Sequence, residues 1–134
     1  MAGGSMDCIL CVGKREDADH LFMFCEFASG VWSRIIRWLG FEFVMPQNPF
    51  SFFDCFVGAA SSKKLAKVFA LVWHTTVWSI WRSRNEVSFA NGIRDMVKVV
   101  DDIKIQSWRW GMARRSIKIC LFFEWCCEPG ICCC

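Results

Sequence analysis

The sequence predicts a mainly α-helical protein, and three observations carry this prediction. Apolar residues recur at helical spacing in three stretches, residues 31–39, 63–89 and 94–110. Residues suited to ending a helix follow these stretches, namely Gly40, Asn91-Gly92 and Gly111. The alternation of apolar and polar residues that marks a half-buried strand is almost absent. The pattern therefore indicates helices packed around a shared core.

The composition is typical of one folded domain. The chain has 134 residues, of which 54% are hydrophobic and 16% aromatic, with 13 Phe, 8 Trp and no Tyr. Such a chain can bury a modest core and is too apolar to be disordered. The net charge of +3 neither requires nor excludes a nucleic-acid partner, because nucleic-acid-binding proteins usually concentrate their basic residues on one surface.

The N-terminal cysteines have the spacing of a metal site. Cys8-Ile-Leu-Cys11 is followed by eight residues, then His20, then four residues and Cys25. Zn²⁺ is bound tetrahedrally by thiolate sulfur and imidazole nitrogen, and three cysteines with one histidine complete its coordination. The pattern predicts a zinc site. The alternative is that the cysteines are small buried apolar residues and that His20 lies on the surface.

Residues 7–40 are predicted to form a zinc-binding turn and one or two short helices. One helical face contains Val31, Trp32, Ile35, Ile36 and Leu39. Residues 41–62 are predicted to be a Phe-rich connector that holds a short helix or an ordered loop. Pro46 and Pro49 rule out a continuous helix across it.

Residues 63–113 are predicted to form a hairpin of two long, antiparallel helices. In the first helix, we assign a polar stripe to Lys64, Lys67, Thr75, Ser79, Arg82 and Glu86, and the opposite apolar side to Phe69, Trp73, Val77, Ile80 and Trp81. In the second helix, one face contains Met96, Val99, Val100, Ile103 and Ser107. Lys98 and Asp102 are spaced to form an i, i+4 pair on its solvated side.

No membrane-spanning helix is predicted. The longest uncharged stretch near the middle of the chain, residues 68–81, has 14 residues, whereas a span needs about 20. We therefore expect a buried helix there, and a membrane is not an expected partner.

Residues 114–134 are predicted to be a Cys-rich, unstructured tail. Six of the 10 cysteines lie after residue 119, which differs from the even spread of a disulfide framework. Metal binding and palmitoylation are alternative uses of these thiols. Because the N-terminus lacks the features of a signal peptide, we expect an intracellular protein of the nucleus or cytoplasm that is not secreted.

Two groups of motifs resemble one known family. The first group comprises Cys8-Ile-Leu-Cys11, Asp19-His20-Leu21-Phe22, Cys25-Glu-Phe-Ala28, Val31-Trp32 and Trp38-Leu39-Gly40. The second group comprises Val77-Trp78-Ser79-Ile80-Trp81, Arg84-Asn85 and Phe89. They resemble, in order, the reverse-transcriptase zinc-binding domain of plant non-LTR retroelements and the helical segment that follows it. One departure is Ile9, where many members of the family have Pro.

The resemblance implies an isolated or truncated copy of that domain, with Zn²⁺ as its cofactor. It assigns the zinc ligands to Cys8, Cys11, His20 and Cys25. Four protein ligands leave no open position for a water molecule, so the zinc would be structural. We thus expect a small zinc-pinned helical module followed by two long packed helices.

The expected partners are RNA or DNA, or other parts of a retroelement polyprotein. Contacts with phosphates are predicted for Lys14, Arg15, Arg34 and Arg37, and stacking on bases for Trp32 and Trp38.

Catalysis is not expected. Asp101 and Asp102 fall within a helical pattern and are interpreted as a solvated face, not as a pair that binds catalytic metal ions. Cys55 and His74 are the only candidates for a cysteine nucleophile and its base, and His74 is better explained as a core or helix-face residue.

Two other functions are compatible with the sequence. One is a helical protein-interaction module without metal, which would dock a partner on Phe69, Trp73 and Trp81. The other is a membrane-associated protein that uses residues 68–81 and an acylated tail.

Overall fold

A computed structural model describes residues 25–46, 48–90 and 95–130, except for the side chains of residues 49–50 and 87–90. This part of the chain contains five α-helices and no strand, which confirms the predicted class. Three of them are short, namely α1 (Glu26–Leu39), α2 (Pro49–Gly58) and α5 (Phe122–Cys127). The other two, α3 (Lys63–Ala90) and α4 (Met96–Ala113), are the predicted pair of long helices.

The two long helices pack antiparallel. Near the middle of α3, Trp78 packs edge-on against Trp110 close to the end of α4, with ring centroids 5.4 Å apart. Toward the end of α3, Glu86 lines a groove together with Asp95, which precedes α4. The antiparallel hairpin therefore forms as the hydrophobic pattern predicts.

Helix α1 ends at Gly40, as predicted. Gly40 has a left-handed backbone (φ 79°), and its N–H donates to the carbonyl oxygen of Ile36 at 3.0 Å. Glycine adopts this conformation without the steric cost that a Cβ imposes. Within α1, Val31, Trp32 and Ile35 are buried in the core.

The Phe-rich connector contributes to the core through helix α2. The helix begins at Pro49, where a missing N–H breaks no helical hydrogen bond. Phe52 and Phe56 are fully buried and pack edge-on against Trp32, with ring centroids 4.6 and 5.6 Å away. The short helix expected in this region is thus part of the core.

The buried face of α3 differs from the predicted one. Thr75, Thr76 and Ser79 are buried, whereas Trp81 is 51% exposed. Each threonine hydroxyl donates to the carbonyl oxygen four residues earlier, at 2.7 Å. Because these bonds satisfy the two threonine hydroxyls within the helix, Thr75 and Thr76 can enter the core. The assignment of Thr75 and Ser79 to a polar stripe, and of Trp81 to the covered side, was wrong.

Helix α4 presents the predicted face to the core, with Val99, Val100, Ile103 and Ser107 buried. At its start, Asp95 accepts the N–H of Lys98 at 3.1 Å. The Lys98 ammonium also lies 2.9 Å from the Asp102 carboxylate on the exposed side. The predicted i, i+4 pair is therefore confirmed.

The tail is not wholly unstructured, which corrects the sequence-based prediction. Residues 122–127 form α5, and Trp125 on this helix is fully buried. Its indole N–H donates to the carbonyl of Lys104 at 3.1 Å and to the Ser107 hydroxyl at 3.2 Å. A single large aromatic side chain that inserts into the core next to α4 thus orders this segment.

Residues 68–81 form the middle of α3 and contribute Val68, Phe69 and Val72 to the core. Within the described ranges, none of the helices has the combination of length and hydropathy that crossing a bilayer requires.

Candidate functional site

Of the four predicted zinc ligands, Cys25 is the one that lies within the described residues. This residue is the N-cap of α1 and is fully buried among apolar side chains. Its carbonyl oxygen accepts the N–H of Ser29 at 2.7 Å, and its sulfur does not cap the helix. The other predicted ligands, Cys8, Cys11 and His20, lie outside the described residues.

The position of Cys25 fits a metal-bound thiolate. In an apolar environment a thiolate needs a compensating positive charge, which a bound cation would supply. A packing role without metal would also fit, because a cysteine side chain behaves as a small apolar residue in a core. Among the residues that the structure describes, no cluster of three or more metal-binding side chains occurs.

Trp32 is not available for base stacking, which corrects its predicted role. Only 1% of its surface is exposed. Its ring lies among Phe52, Phe56 and Trp73, with centroid distances of 4.6, 5.6 and 6.3 Å. A base could reach this ring only if the core opened, so Trp32 is a packing residue.

Trp38 is partly buried, and its indole N–H already makes a hydrogen bond. The indole N–H donates to the carbonyl of Cys126 at 2.9 Å, and the ring packs edge-on against Trp125 at 5.4 Å. The ammonium of Lys104 lies 5.5 Å from the ring centroid, within cation–π distance. These contacts make Trp38 a link between α1 and α5.

Two of the three arginines predicted to contact phosphates, Arg34 and Arg37, are exposed on α1. A guanidinium nitrogen of Arg34 contacts the Met96 sulfur at 2.7 Å and the Gly30 carbonyl at 3.5 Å. Arg37 lies in the last turn of the helix. Lys14 and Arg15, which were predicted to act with them, lie outside the described residues.

The apolar face proposed for protein docking is largely internal. Phe69 is buried and stacks on Phe41, with ring centroids 4.8 Å apart. Trp73 packs against Phe52 and Phe53 at 5.7 and 5.0 Å. Only Trp81 of the three predicted docking residues is exposed, so this face is covered by the protein's own α2 and connector.

The Cys–His pair considered for catalysis also has a structural explanation. His74 lies on the exposed side of α3 and contacts the rings of Phe53 and Trp73, each 5.2 Å away. Cys55 is exposed on α2. Elsewhere, Cys120 in the Cys-rich tail is disulfide-bonded.

A groove between α3 and α4 was not predicted from the sequence. It has a volume of 680 Å³, and Trp78, Arg82 and Lys98 lie on its walls. Arg82 pairs with Glu86 at 3.2 Å, and Lys98 pairs with Asp102. The hydrogen bond and the charge of Asp102 raise the pKa of Lys98. The i, i+4 spacing predicted the Lys98–Asp102 pair, but the groove depends on how the two helices align.

Comparisons with protein-family models, with curated proteins and with solved structures gave no match to this chain.

Proposed function

We propose that this chain is a non-catalytic, structural zinc-binding module related to the reverse-transcriptase zinc-binding domain of plant non-LTR retroelements. The observation that carries the proposal is the spacing of Cys8, Cys11, His20 and Cys25, which supplies one tetrahedral set of zinc ligands. The burial of Cys25 at the start of α1 supports it, because a zinc ion there would join the preceding segment to the core.

The other motifs of the resemblance have structural explanations that are compatible with the proposal. Val31 and Trp32 fill the core, Trp38 joins α1 to α5, and Gly40 ends α1. A structural zinc module needs residues that pack its helices into a core and end them correctly, and these motif residues do so. The zinc would contribute free energy of folding, since a structural site is formed only in the folded chain.

Zinc stoichiometry tests this proposal. We expect the purified chain, kept reduced, to hold about one zinc ion per molecule. The double substitution Cys11→Ser and His20→Ala should release it, because two of the four ligands are lost. Cys55→Ser is the matched control, since it removes an exposed cysteine far from the ligand set in sequence.

Two results would reject the zinc module. One is wild-type protein without zinc that keeps its helical content, which would favour the metal-free interaction module. The other is equal loss of zinc in the control and in the double variant, which would indicate non-specific binding to thiols.

Nucleic-acid binding is the second part of the proposal. With Trp32 reassigned to the core, nucleic-acid binding would depend on Lys14, Arg15, Arg34 and Arg37, and on the partly exposed Trp38. Phosphate contacts of this kind weaken as salt concentration rises. Filter binding of single-stranded RNA and DNA across a salt titration should show such weakening, and a salt-independent or absent signal would remove this part. We also propose an intracellular location, in the nucleus or cytoplasm.

A further inference from the structure

Three exposed apolar side chains lie at the start of α5 and in the segment that leads into it. Ile119, Leu121 and Phe123 are 91%, 70% and 74% exposed. We call these three residues the apolar protrusion. Large apolar residues exposed singly are common in proteins, but three exposed within five consecutive residues are a candidate contact surface.

The intervening residues hold the protrusion in place. Cys120 and Phe122 pack against the core. Trp108 donates its indole N–H to the Cys120 carbonyl at 3.1 Å, and its ring lies 5.5 Å from that of Phe122. Because alternate residues of this segment turn inward, the three apolar side chains are directed outward on a fixed support.

A hydrogen bond at the start of α5 holds the C-terminal part of the apolar protrusion in place. The Glu124 carboxylate accepts the N–H of Leu121 at 2.9 Å. One residue later, Trp125 is buried and hydrogen-bonded to α4. The exposed side chains therefore lie on an anchored part of the fold.

Basic residues adjoin the protrusion. Arg114, Arg115 and Lys118 are all exposed, and residues 114–123 contain no acidic side chain. The first acidic residue after them is Glu124, whose carboxylate is engaged by the backbone of Leu121. This segment thus combines exposed apolar side chains with exposed basic residues that precede them in the sequence.

We propose that the apolar protrusion and its basic neighbours bind the surface of an anionic lipid bilayer. Apolar side chains can enter the boundary between headgroups and acyl chains, while lysine and arginine attract the anionic headgroups. The aliphatic side chains of Ile119 and Leu121 have no planar face, so they are unsuited to stacking on nucleic-acid bases. In a twofold dimer formed through the same surface, the basic residues of both copies would face each other and repel.

This site differs from the membrane interpretation considered from the sequence, which used residues 68–81 and an acylated tail. Val68, Phe69 and Val72 of that stretch lie in the core, whereas the protrusion is exposed and needs no rearrangement to meet a bilayer. The protein would lie on the membrane surface without crossing it.

Vesicle co-sedimentation of the full chain tests this inference. We expect binding to phosphatidylcholine vesicles that contain phosphatidylserine, weaker binding to pure phosphatidylcholine, and a decrease with added salt. The double variant Leu121→Gln and Phe123→Gln should lose at least tenfold in affinity, because it removes two inserting side chains. Arg115→Gln with Lys118→Gln should lose about tenfold on the anionic vesicles alone.

Val44→Ser with Val97→Ser is the matched control. Both valines are highly exposed, but they lie outside the protrusion, so this variant should bind as wild type does. Circular dichroism confirms that each variant retains its helices. Wild-type protein that does not bind anionic vesicles would overturn the inference, as would an equal loss in the control. A dimer in sedimentation velocity that Leu121→Gln and Phe123→Gln dissociates, without any vesicle binding, would assign the surface to a second copy instead.

Discussion

Arg115 ends helix α4 in a conformation that usually belongs to glycine. Its φ is 57°, in the left-handed region. Its N–H donates to the Met112 carbonyl at 3.2 Å, and the N–H of Ser116 donates to the Gly111 carbonyl at 2.8 Å. These two bonds form a Schellman motif, in which the residue at the position of Arg115 is most often Gly. The arginine therefore carries a steric cost that the two hydrogen bonds help to offset.

Arg115→Gly should stabilise the protein. Removing the Cβ relieves the left-handed conformation, and the greater backbone freedom of Gly in the unfolded chain cancels part of that gain. We expect the free energy of unfolding to rise by about 0.5–1 kcal/mol, measured by urea denaturation. Arg114→Gly is the control, because Arg114 has a right-handed backbone (φ −90°) and glycine offers no steric relief there. A lower stability for Arg115→Gly than for wild type would contradict this explanation.

At the scale of the helix, the sequence predicted where elements begin and end better than which face they bury. Gly40 marks the end of α1 through local backbone chemistry, which a sequence contains in full. The orientation of α3 is different, because apolar residues occur on nearly all of its sides between residues 68 and 81. Which side becomes buried depends on α2 and α4, and Thr75 can join it only through a hydrogen bond within its own helix.

Substituting one residue on each side of α3 tests which side of the helix is buried. Thr75→Gln places a long amide in the core, and we expect it to lower the free energy of unfolding by about 2–3 kcal/mol. Trp81→Gln alters a half-exposed side chain and should cost about 1 kcal/mol or less. Thermal unfolding followed by circular dichroism measures both. The polar stripe inferred from the sequence predicts the reverse order, so the ranking of the two variants decides between the two orientations.

At the scale of the whole molecule, the tail was the main error of the sequence-based prediction. Its cysteines suggested a segment without packed structure, yet Trp125 connects three helices. It is hydrogen-bonded to α4, its ring meets Trp38 of α1, and it belongs to α5. No local pattern identifies a partner 87 residues away in the sequence, as Trp38 is from Trp125. The same limit explains why Trp32 was assigned to a nucleic-acid surface instead of the core.

The contribution of α5 to the fold can be measured by comparing two aromatic residues on that helix. Trp125→Ala removes a fully buried side chain and leaves a cavity, so we expect a loss of about 3–5 kcal/mol. Stabilities of small domains are about 5–15 kcal/mol, so this loss would bring the protein close to unfolding. Phe123→Ala is the matched control two positions earlier, where the ring is exposed and its removal should cost roughly 0.5 kcal/mol or less. Urea denaturation followed by circular dichroism gives both values, and similar values for the two variants would mean that α5 does not contribute to the core.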